Sequence, residues 1–525
     1  MTIKLHFLAF LTIFFIFNCI YSQDGTLDLS FGNGKGYTTT DLFNDDYEKI
    51  FELVLQNDGS IVVGGGLNQD YLIGIAKYTV NGILDQNFAD GGKLLFNFQD
   101  EARSAELADI VVDSNNRIYI LIGFDGNYED IGENRKLKLI RLTEDGFLDE
   151  TFGEGGVLTT TWGCNYFIGT GLLLQSDNKI LISGVCIDES NLGTTLSRLN
   201  PDGSLDSTFG ENGVSSKINN SIIYSMKFAK DGSIVGTGNI YDEVTDKGDM
   251  ILVKFSSNGH LDSNFGKDGV VRIDINNIET EEDNDIGYDL DIQSDDKIVV
   301  VCEYIDRVVN SYSEYELRVI RFMNNGDIDD SFNSISLDIQ DKSEWTRILT
   351  QSDNKILVLG SEITRLNSNG TLDRTFGNNG YYRGSGLESA FSYNMFGNLY
   401  DMKLTLNSEI IVGGNSTLNE NGEEVDDMIL FKLKNSENLR LSGPDINKLS
   451  LYPNPTNDRL YLKLPEEIRD NIHIEIYDIL GNNIYEENRN YLQNEIDFNS
   501  ISSGTYFLKI KSNKNLKWEG TIIKR

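Results

Sequence analysis

Histidine, cysteine and positive charge are scarce in this chain, and each scarcity argues against a class of function. Three histidines and four cysteines in 525 residues, with no Cys-x-x-Cys pair and no histidine run, give no zinc-binding pattern. The histidines beyond residue 22, His260 and His473, have no serine or cysteine nucleophile motif around them, which argues against a catalytic triad. Lysine and arginine number 45 against 82 acidic residues, and the net charge of −37 repels the phosphate backbone of nucleic acids.

Only one apolar run in the chain is long, and it lies at the N-terminus. Residues 5–20 form an apolar stretch after a lysine, and the small residue Ser22 follows, so residues 1–22 are predicted to be a cleaved signal peptide. Cys19 raises the alternative of a lipid anchor, but the residues just before it are not small. No other stretch reaches membrane-spanning length, so no membrane span is predicted after signal removal.

Glycine and aromatic residues are plentiful, with 50 glycines against five prolines and 51 tyrosines and phenylalanines together. Short, glycine-punctuated, aromatic segments are typical of an all-β protein. One phrase recurs seven times at spacings of 57, 64, 57, 56, 67 and 44 residues; five copies read Leu-Asp-x-x-Phe-Gly, the copy at 84–88 lacks the glycine, and the copy at 328–332 is degenerate, with isoleucine first and no glycine. We name it the Leu-Asp phrase. Its aspartates are Asp28, Asp85, Asp149, Asp206, Asp262, Asp329 and Asp373.

Two further phrases recur with it. The turn phrase combines an Asp-Gly, Asp-Asn or Asn-Ser turn with an apolar β-branched run, which predicts a hairpin. Its clear copies lie at residues 56–64, 175–182, 293–300 and 351–358, and its weaker copies at 116–118, 231–234 and 407–410. The third phrase is a strand with a basic residue at a fixed place. Four short strands in each unit of about 57 residues predict a seven-bladed β-propeller over residues 23–438.

A fixed spacing links the basic residue of one unit to the next Leu-Asp phrase. The basic residue precedes the aspartate by eight positions in six pairs, which are Lys77 and Asp85, Arg141 and Asp149, Arg198 and Asp206, Lys254 and Asp262, Arg321 and Asp329, and Arg365 and Asp373. Lys432 has no aspartate after it, and Asp28 has no basic residue before it. We therefore predict that Lys432 lies beside Asp28 and that this contact closes the ring.

The repeated aspartates admit two roles. Each can pair with the preceding basic residue, or accept backbone N–H bonds in its own turn, and the two roles are compatible. Either role is structural, because a residue present in every unit is explained first by the scaffold. A functional site is expected only where the units differ.

Three cysteines remain after signal removal. Cys164 and Cys186 flank a predicted hairpin in one unit, and export permits a disulfide, so we predict that they pair. Cys302 is then unpaired, and we interpret it as a small buried apolar residue.

The repeat pattern stops near Asn438, and residues 439–449 are predicted to be a linker. Residues 450–525 contain alternating strands at 460–464, 472–477, 505–510 and 517–523, which suit a small Ig-like β-sandwich. Three motifs stand out in this segment. They are Tyr452-Pro453-Asn454-Pro455, Tyr477-Asp478-Ile479-Leu480-Gly481 and Ile501-Ser502-Ser503-Gly504-Thr505-Tyr506-Phe507.

These motifs resemble the C-terminal sorting domain of type IX secretion in Bacteroidetes. The resemblance implies handling by the type IX machinery, removal of the domain, and release of the cargo or its attachment to surface lipopolysaccharide. The Leu-Asp phrase resembles the signature of the delta-60 repeat family, over about residues 25–435. That family is defined by its repeat, so the resemblance implies a fold and no activity.

No cofactor is predicted. Calcium is the most credible ligand of the acidic surface, at 279–285 or 423–427, because hard cations prefer clustered oxygens. Neither segment matches an EF-hand loop, and a solvated acidic loop is the competing interpretation.

The function predicted from these observations is a secreted or surface-attached, non-catalytic binding or adhesion propeller with a glycan or protein ligand. The alternative is a surface polysaccharide hydrolase or lyase. Variable inserts and the aromatic residues Trp162, Tyr166, Trp345 and Tyr382 are candidate contacts, unless these rings fill space between blades. A central pocket with convergent carboxylates and a basic or aromatic wall would favour the alternative. A channel lined only by apolar and glycine residues would favour the binding protein.

Overall fold

The computed structural model divides the chain into two compact units, residues 1–438 and 439–525. It describes residues 24–42, 48–67, 71–101, 104–125, 137–160, 164, 166–188, 191–242, 247–275, 284–309, 312–338, 346–387, 399–418, 424–435, 450–452, 459–463, 472–478, 483–490, 495–498, 501–502, 504–512 and 517–524. The predicted signal peptide and linker lie outside these residues.

Sheets 1 to 6 of the first unit each contain four antiparallel strands in sequence order. Sheet 1 contains Glu48–Leu55, Ile61–Leu67, Leu72–Tyr78 and Lys93–Asn97. Sheet 2 contains Ser104–Val112, Ile118–Asp125, Leu137–Leu142 and Val157–Thr160. Sheet 3 contains Tyr166–Leu174, Ile180–Asp188, Asn191–Leu199 and Ile218–Asn219. Sheet 4 contains Ser221–Phe228, Ile234–Tyr241, Gly248–Phe255 and Val270–Ile273. Sheet 5 contains Ile286–Ile292, Ile298–Val309, Tyr312–Phe322 and Ser336–Asp338. Sheet 6 contains Arg347–Thr350, Ile356–Leu359, Ile363–Leu366 and Tyr381–Tyr382.

Sheet 7 is built from both ends of the unit. Its first three strands are Leu399–Leu404, Ile410–Leu418 and Glu424–Lys434. The N-terminal strands Thr26–Leu27 and Tyr37–Thr40 pair with Glu424–Lys434, and the short 3-10 helix Gly32–Gly34 lies between them. The outer strand of sheet 7 therefore comes from the N-terminal segment. In the other sheets, the outer strand follows the third strand in the sequence.

The turn phrase forms the hairpin between the first and second strands. In sheet 1, the Gln56 N–H donates to the Ser60 carbonyl at 2.8 Å, and Gly59 has a φ of +86°. The other six hairpins also place a positive φ at this position. The residues there are Asn116, Asn178, Gly232, Asp296, Asn354 and Ser408. The Gly, Asn and Asp residues of the phrase are thus explained by left-handed backbone at the turn.

The apolar core lies between neighbouring sheets. One cluster joins Ile50 and Leu53 of sheet 1 to Ile411 and Leu430 of sheet 7. Each of these side chains is almost fully buried, and burial of such a side chain contributes about 1.5–3 kcal/mol. The first strand of each sheet contacts the first strand of the next, and the first strand of sheet 7 contacts that of sheet 1. The first strands therefore follow one another in a cyclic order.

The cysteine pair lies in sheet 3. Cys164 and Cys186 form a disulfide that joins the residues before the first strand to the end of the second. Cys302 is a free, buried thiol in sheet 5, and burial raises its pKa far above the usual range.

The second unit contains two antiparallel sheets. Sheet 8 has the order Ser450–Tyr452, Arg459–Lys463, Glu495–Asp497, and sheet 9 has the order Asn483–Arg489, Ile472–Tyr477, Gly504–Ser512, Lys517–Lys524. Leu460 and Ile496 of sheet 8 share one apolar core with Ile474 and Leu508 of sheet 9. In the part of the chain that the structure describes, no helix has the length and apolar character needed to cross a membrane.

Candidate functional site

The structure brings every basic residue of the repeat to its aspartate. Lys432 Nζ lies 2.7 Å from Asp28 Oδ2 in sheet 7, which joins the two ends of the first unit. The other six pairs have nitrogen–oxygen distances of 3.8 Å (Lys77–Asp85), 2.8 Å (Arg141–Asp149), 2.7 Å (Arg198–Asp206), 3.9 Å (Lys254–Asp262), 2.9 Å (Arg321–Asp329) and 2.9 Å (Arg365–Asp373). We name each pair with its surroundings a joint.

The second oxygen of each aspartate accepts a bond in its own turn. Asp28 Oδ1 accepts the Ser30 N–H at 3.0 Å, and Asp373 Oδ1 accepts the Thr375 N–H at 3.1 Å. The same bond, to the N–H two residues on, occurs at the other five joints. The pairing role and the turn role therefore coexist in one carboxylate.

The joints also connect each sheet to the next. Arg141 donates to the Pro201 carbonyl at 2.6 Å, and Arg198 donates to the Ser257 carbonyl at 2.8 Å, each in a turn of the following sheet. The backbone N–H after the phenylalanine of each Leu-Asp phrase makes a parallel bond, as from Gly210 to the Asn258 carbonyl at 2.7 Å. Gly210 has a φ of +51°, and a Cβ there would lie 1.9 Å from the Val214 carbonyl oxygen, which explains the glycine.

The joints fall into two classes according to their cation. Arginine joints contain a second cation near the aspartate, as Lys355 does at 2.9 Å from Asp373. Lysine joints contain a second acid instead, as Glu409 does at 3.3 Å from Lys432. A guanidinium donates in a planar fork, whereas an ammonium is a point charge that suits two carboxylates. Lysine joints also reach the next sheet, since Lys254 donates to the Asn324 side chain at 2.8 Å.

Five of the joint aspartates have lowered pKa values. Burial alone would raise the pKa of Asp373, but bonds from Thr375 and Lys355 and the charge of Arg365 lower it to about 2. The pKa values of Asp28, Asp149, Asp206 and Asp329 are also lowered by their hydrogen bonds and cations.

Acid is therefore expected to destabilise the first unit. A carboxyl with a lowered folded-state pKa contributes stability above its unfolded-state pKa, near 3.8, and loses that contribution as the pH falls toward about 2. The urea midpoint should fall steeply between about pH 4 and pH 2. Asp373→Asn should unfold at lower urea near pH 6 and show a shallower decline. An equally steep decline in this variant would contradict the assignment.

A second feature is a cavity of about 230 Å³ lined by the first strands of all seven sheets. It is lined by a residue at the same position of each first strand, seven residues before the positive-φ residue of the following turn. These residues, in sheet order, are Glu52, Asp109, Gly171, Ser225, Asp289, Arg347 and Asp401. The residue type at this position differs between units, whereas the aspartate and the basic residue of the joints recur in every unit.

Three of the cavity carboxylates are bonded to the backbone of the next sheet. Asp109 Oδ2 accepts the Leu172 N–H at 2.6 Å, and Asp289 Oδ2 accepts the Ile348 N–H at 2.9 Å. Asp401 Oδ2 accepts the N–H of the next sheet's first strand, at Leu53, at 2.9 Å. These aspartates therefore form part of the cavity wall.

Glu52 is placed differently, beside three charged groups. Its Oε1 accepts a bond from Arg347 at 3.1 Å, and Arg347 Nε lies 3.7 Å from Asp401 Oδ1. Lys403 Nζ donates to Asp401 at 2.5 Å. Burial and the Asp401 charge raise the pKa of Glu52 to about 8, so Glu52 is mainly a neutral acid at pH 7. Burial likewise raises the pKa of Asp109 to about 6.

Two tyrosines also line the cavity. Tyr224 is 38% exposed, and its ring centroid lies 6.3 Å from that of Tyr288. The cavity thus combines acids, cations and aromatic surface, so it meets the expectation for the enzymatic alternative in composition. Its hydrogen bonding does not fully meet that expectation, because three of its four carboxylates already accept bonds from backbone N–H groups.

The other predicted contacts lie elsewhere. Tyr382 is buried in an apolar cluster with Phe376 and Phe431, where it fills space between sheets. Trp162 and Trp345 lie outside the described residues, as do most of the variable inserts. Among the described residues, no group of three His, Cys, Asp or Glu side chains could hold a metal ion. Calcium binding stays a prediction: residues 279–283 and 423 lie outside the described part, and residues 424–427 lie in the strand Glu424–Lys434.

The sorting motif is described only in part. Pro453, Asn454, Pro455 and Gly481 lie outside the described residues. Gly504 begins the strand Gly504–Ser512, and the Tyr506 hydroxyl donates to the Ser502 carbonyl at 2.7 Å. Tyr506 thereby fixes the turn that leads into its own strand.

Sequence reasoning missed the cavity residues Glu52, Lys227 and Arg347. No motif surrounds any of them, and a single charged residue in a strand is not distinctive. The one available signal was position, since Glu52 and Arg347 each stand four places before a clear copy of the turn phrase, at residues 56–64 and 351–358.

Two known families match segments of this chain. Residues 450–525 match the family described as "Secretion system C-terminal sorting domain". Residues 175–209, 293–332 and 351–376 match a β-propeller domain of unknown function (DUF5122). The first unit thus has the four-stranded sheets of a β-propeller, and a delta-60 assignment goes beyond these matches.

Several solved structures are similar at low identity. Polysaccharide lyase Uly1 is 9% identical with a TM-score of 0.46, over 76% of this chain and 92% of that one. An α-L-arabinanase of Penicillium chrysogenum is 11% identical with a TM-score of 0.36, over 61% and 92%. An endo-arabinase of Bacteroides thetaiotaomicron VPI-5482 is 10% identical with a TM-score of 0.30, over 55% and 99%. None of these likenesses bears on activity, and no curated protein sequence matches the chain. The sorting domain marks the chain as a protein exported by the type IX system to the cell surface or outside.

Proposed function

We propose that the first unit is a closed seven-bladed propeller, with each of sheets 1–7 as one blade, that binds a ligand in its central cavity without altering it. The cyclic order of first-strand contacts and the Lys432–Asp28 joint support the closed ring. The observation that carries the function is the variation at one position around the cavity, where the seven sheets present five residue types, Glu, Asp, Gly, Ser and Arg. The repeated residues are engaged in joints and are not available to a ligand.

We infer that the ligand is a glycan. Glycans present many hydroxyl groups, and the cavity offers hydrogen-bond donors and acceptors from Arg347, Glu52 and Lys403. The exposed ring of Tyr224 suits packing against the apolar face of a sugar. A protein ligand is the competing possibility.

The second unit, in this proposal, is an Ig-like β-sandwich that directs the chain to the type IX machinery. Its apolar core between sheets 8 and 9 supports a sandwich. Removal of this unit would leave the propeller either released or attached to the outer surface.

A glycan-array screen of the mature chain, followed by calorimetry on the best ligand, tests the binding function. Arg347→Gln should weaken binding about tenfold, because it removes a charged donor from the cavity. Arg383→Gln is the matched control in the same sheet, since Arg383 forms an exposed ion pair with Glu362 and should leave affinity unchanged. Absence of glycan binding by the native chain, or equal affinity of the Arg347 variant, would reject the proposal.

Hydrolysis is the second candidate, and one observation favours it. Glu52 has a raised pKa and lies beside the Arg347–Asp401 pair, as a general acid in a glycosidase would. If the native chain releases new reducing ends from its ligand, Glu52→Gln should lower that rate at least tenfold while binding persists. Intact glycan after prolonged incubation with the native chain would exclude this candidate.

A further inference from the structure

The cavity has few unused acceptors. Both oxygens of Asp109 accept backbone bonds, from Ile110 at 2.7 Å and from Leu172 at 2.6 Å. Asp289 accepts the Leu290 and Ile348 N–H groups and the Ser225 hydroxyl, the last at 2.6 Å. The wall aspartates therefore have little capacity left to accept bonds from a ligand.

Asp401 is engaged in the same way. Its Oδ1 accepts the Met402 N–H at 2.8 Å, and its Oδ2 accepts both the Leu53 N–H and the Lys403 ammonium. Most carboxylate oxygens of the cavity lining are thus already bonded to the protein itself.

The cations, by contrast, retain unused donors. An arginine carries five N–H donors and a lysine three. Arg347 donates to Glu52 and to the Thr346 carbonyl, and Lys403 donates to Asp401. Within the described part of the chain, the Lys227 ammonium has neither a hydrogen bond nor an ion pair, although it lines the cavity.

Lys227 is nevertheless held in its charged form. Burial alone would lower the pKa of Lys227, but the carboxylates of Asp289, Asp291, Asp401 and Asp109 outweigh it and raise the pKa. Their attraction acts without a direct bond, so the three N–H donors of this lining residue are unused within the described part of the chain. A ligand rich in acceptor oxygens would accept hydrogen bonds from these donors.

We propose that the cavity binds a uronic acid unit of an acidic glycan, with its carboxylate held by Lys227 and Arg347. A planar carboxylate matches the fork of a guanidinium, and the ammonium of Lys227 offers it N–H donors that no described protein group uses. The cavity volume of about 230 Å³ is below the roughly 300–1,000 Å³ of pockets for drug-sized ligands, so it suits one sugar unit. This inference rests on the proposed glycan-binding function.

Calorimetry on the mature chain tests it with matched probes, namely tetramers of galacturonate and glucuronate and the neutral tetramers of galactose and glucose. At least one uronate tetramer should bind at least tenfold more tightly than its neutral counterpart. Lys227→Gln should remove about tenfold of that affinity and leave any neutral binding unchanged, and Lys227→Arg should retain it.

Lys230→Gln is the matched control. Lys230 lies just beyond the same strand, is exposed and pairs with Asp296 at 3.1 Å, so its loss should not alter uronate affinity. Equal binding of acidic and neutral tetramers, or full affinity in the folded Lys227→Gln variant, would overturn the inference and leave glycan binding standing. Tight binding of sulfated but not uronate glycans would overturn it too. Failure of every glycan to bind would reject the proposed function itself.

Discussion

Replacing Lys432 with methionine is expected to lower the free energy of unfolding of the first unit by about 3 kcal/mol, because it leaves two acids without their cation. Lys432 is 5% exposed and Asp28 is 7% exposed, so solvent replaces little of the lost interaction. Asp28→Asn should cost less, about 1–2 kcal/mol, since Lys432 keeps Glu409 as a partner. Urea unfolding followed by tryptophan fluorescence or circular dichroism measures both changes.

The double variant Asp28→Asn/Lys432→Met separates the contact from other effects. If the two residues touch, the double variant should be less destabilised than the sum of the single changes. Lys230→Met, at an exposed ion pair, should change stability by less than about 1 kcal/mol. Strict additivity of the two single changes would contradict the contact between Asp28 and Lys432.

Replacing Arg365 with methionine is expected to have a larger effect, about 4 kcal/mol. Arg365 is fully buried and bonds to Asp373 and Asp24 at 2.9 Å and to Asn435 at 2.6 Å. Its loss would remove the bond to the buried Asp24, leave Asp373 with Lys355 as its remaining cation, and break a link between sheet 6 and the N-terminal segment.

Arg383 again provides the control, because it lies just after the last strand of the same sheet. Its side chain is 63% exposed and paired with Glu362, so Arg383→Met should cost less than about 1 kcal/mol. Equal effects of the two arginine changes in urea unfolding would show that the joint contributes nothing beyond a surface ion pair.

The joints could be predicted from the sequence because their geometry is local. A basic residue and an aspartate eight positions apart lie at the end of one strand and just after the following turn, so every turn of the same length brings them together. The Lys432–Asp28 contact could be predicted because, among the repeat residues, Lys432 has no aspartate eight positions after it and Asp28 has no basic residue before it. The bonds to the next sheet could not be predicted, because the partners Pro201 and Ser257 contribute only backbone carbonyls, which any residue carries.

The cavity could not be predicted for the opposite reason. Its residues come from seven separate strands and meet only when the sheets adopt their cyclic order. In sequence, Glu52 and Arg347 are single charged positions among 127 charged residues, with 45 basic and 82 acidic. The strands of the second unit at 450–452, 483–489 and 495–497 were also missed, since they are short or highly polar.

The separation of scaffold from site is the functional consequence of this arrangement. Aspartates that recur in every unit hold the sheets together, and the position that varies lines the cavity. Charge at the cavity can therefore change from one sheet to the next without loss of a joint, as Gly171 and Ser225 illustrate beside Asp289.

The closed ring is the central claim, because the cavity exists only if sheet 7 meets sheet 1 through both ends of the unit. Thr26 and Lys434 are directly opposite across the closing pair of strands, a spacing that suits a disulfide. The variant Thr26→Cys/Lys434→Cys should show a disulfide between its two introduced cysteines by mass spectrometry of a non-reduced digest. Thr26→Cys/Ser256→Cys, at the matching position of sheet 4, should show none. No intramolecular link in the first variant, or equal linking in both, would contradict the closed ring.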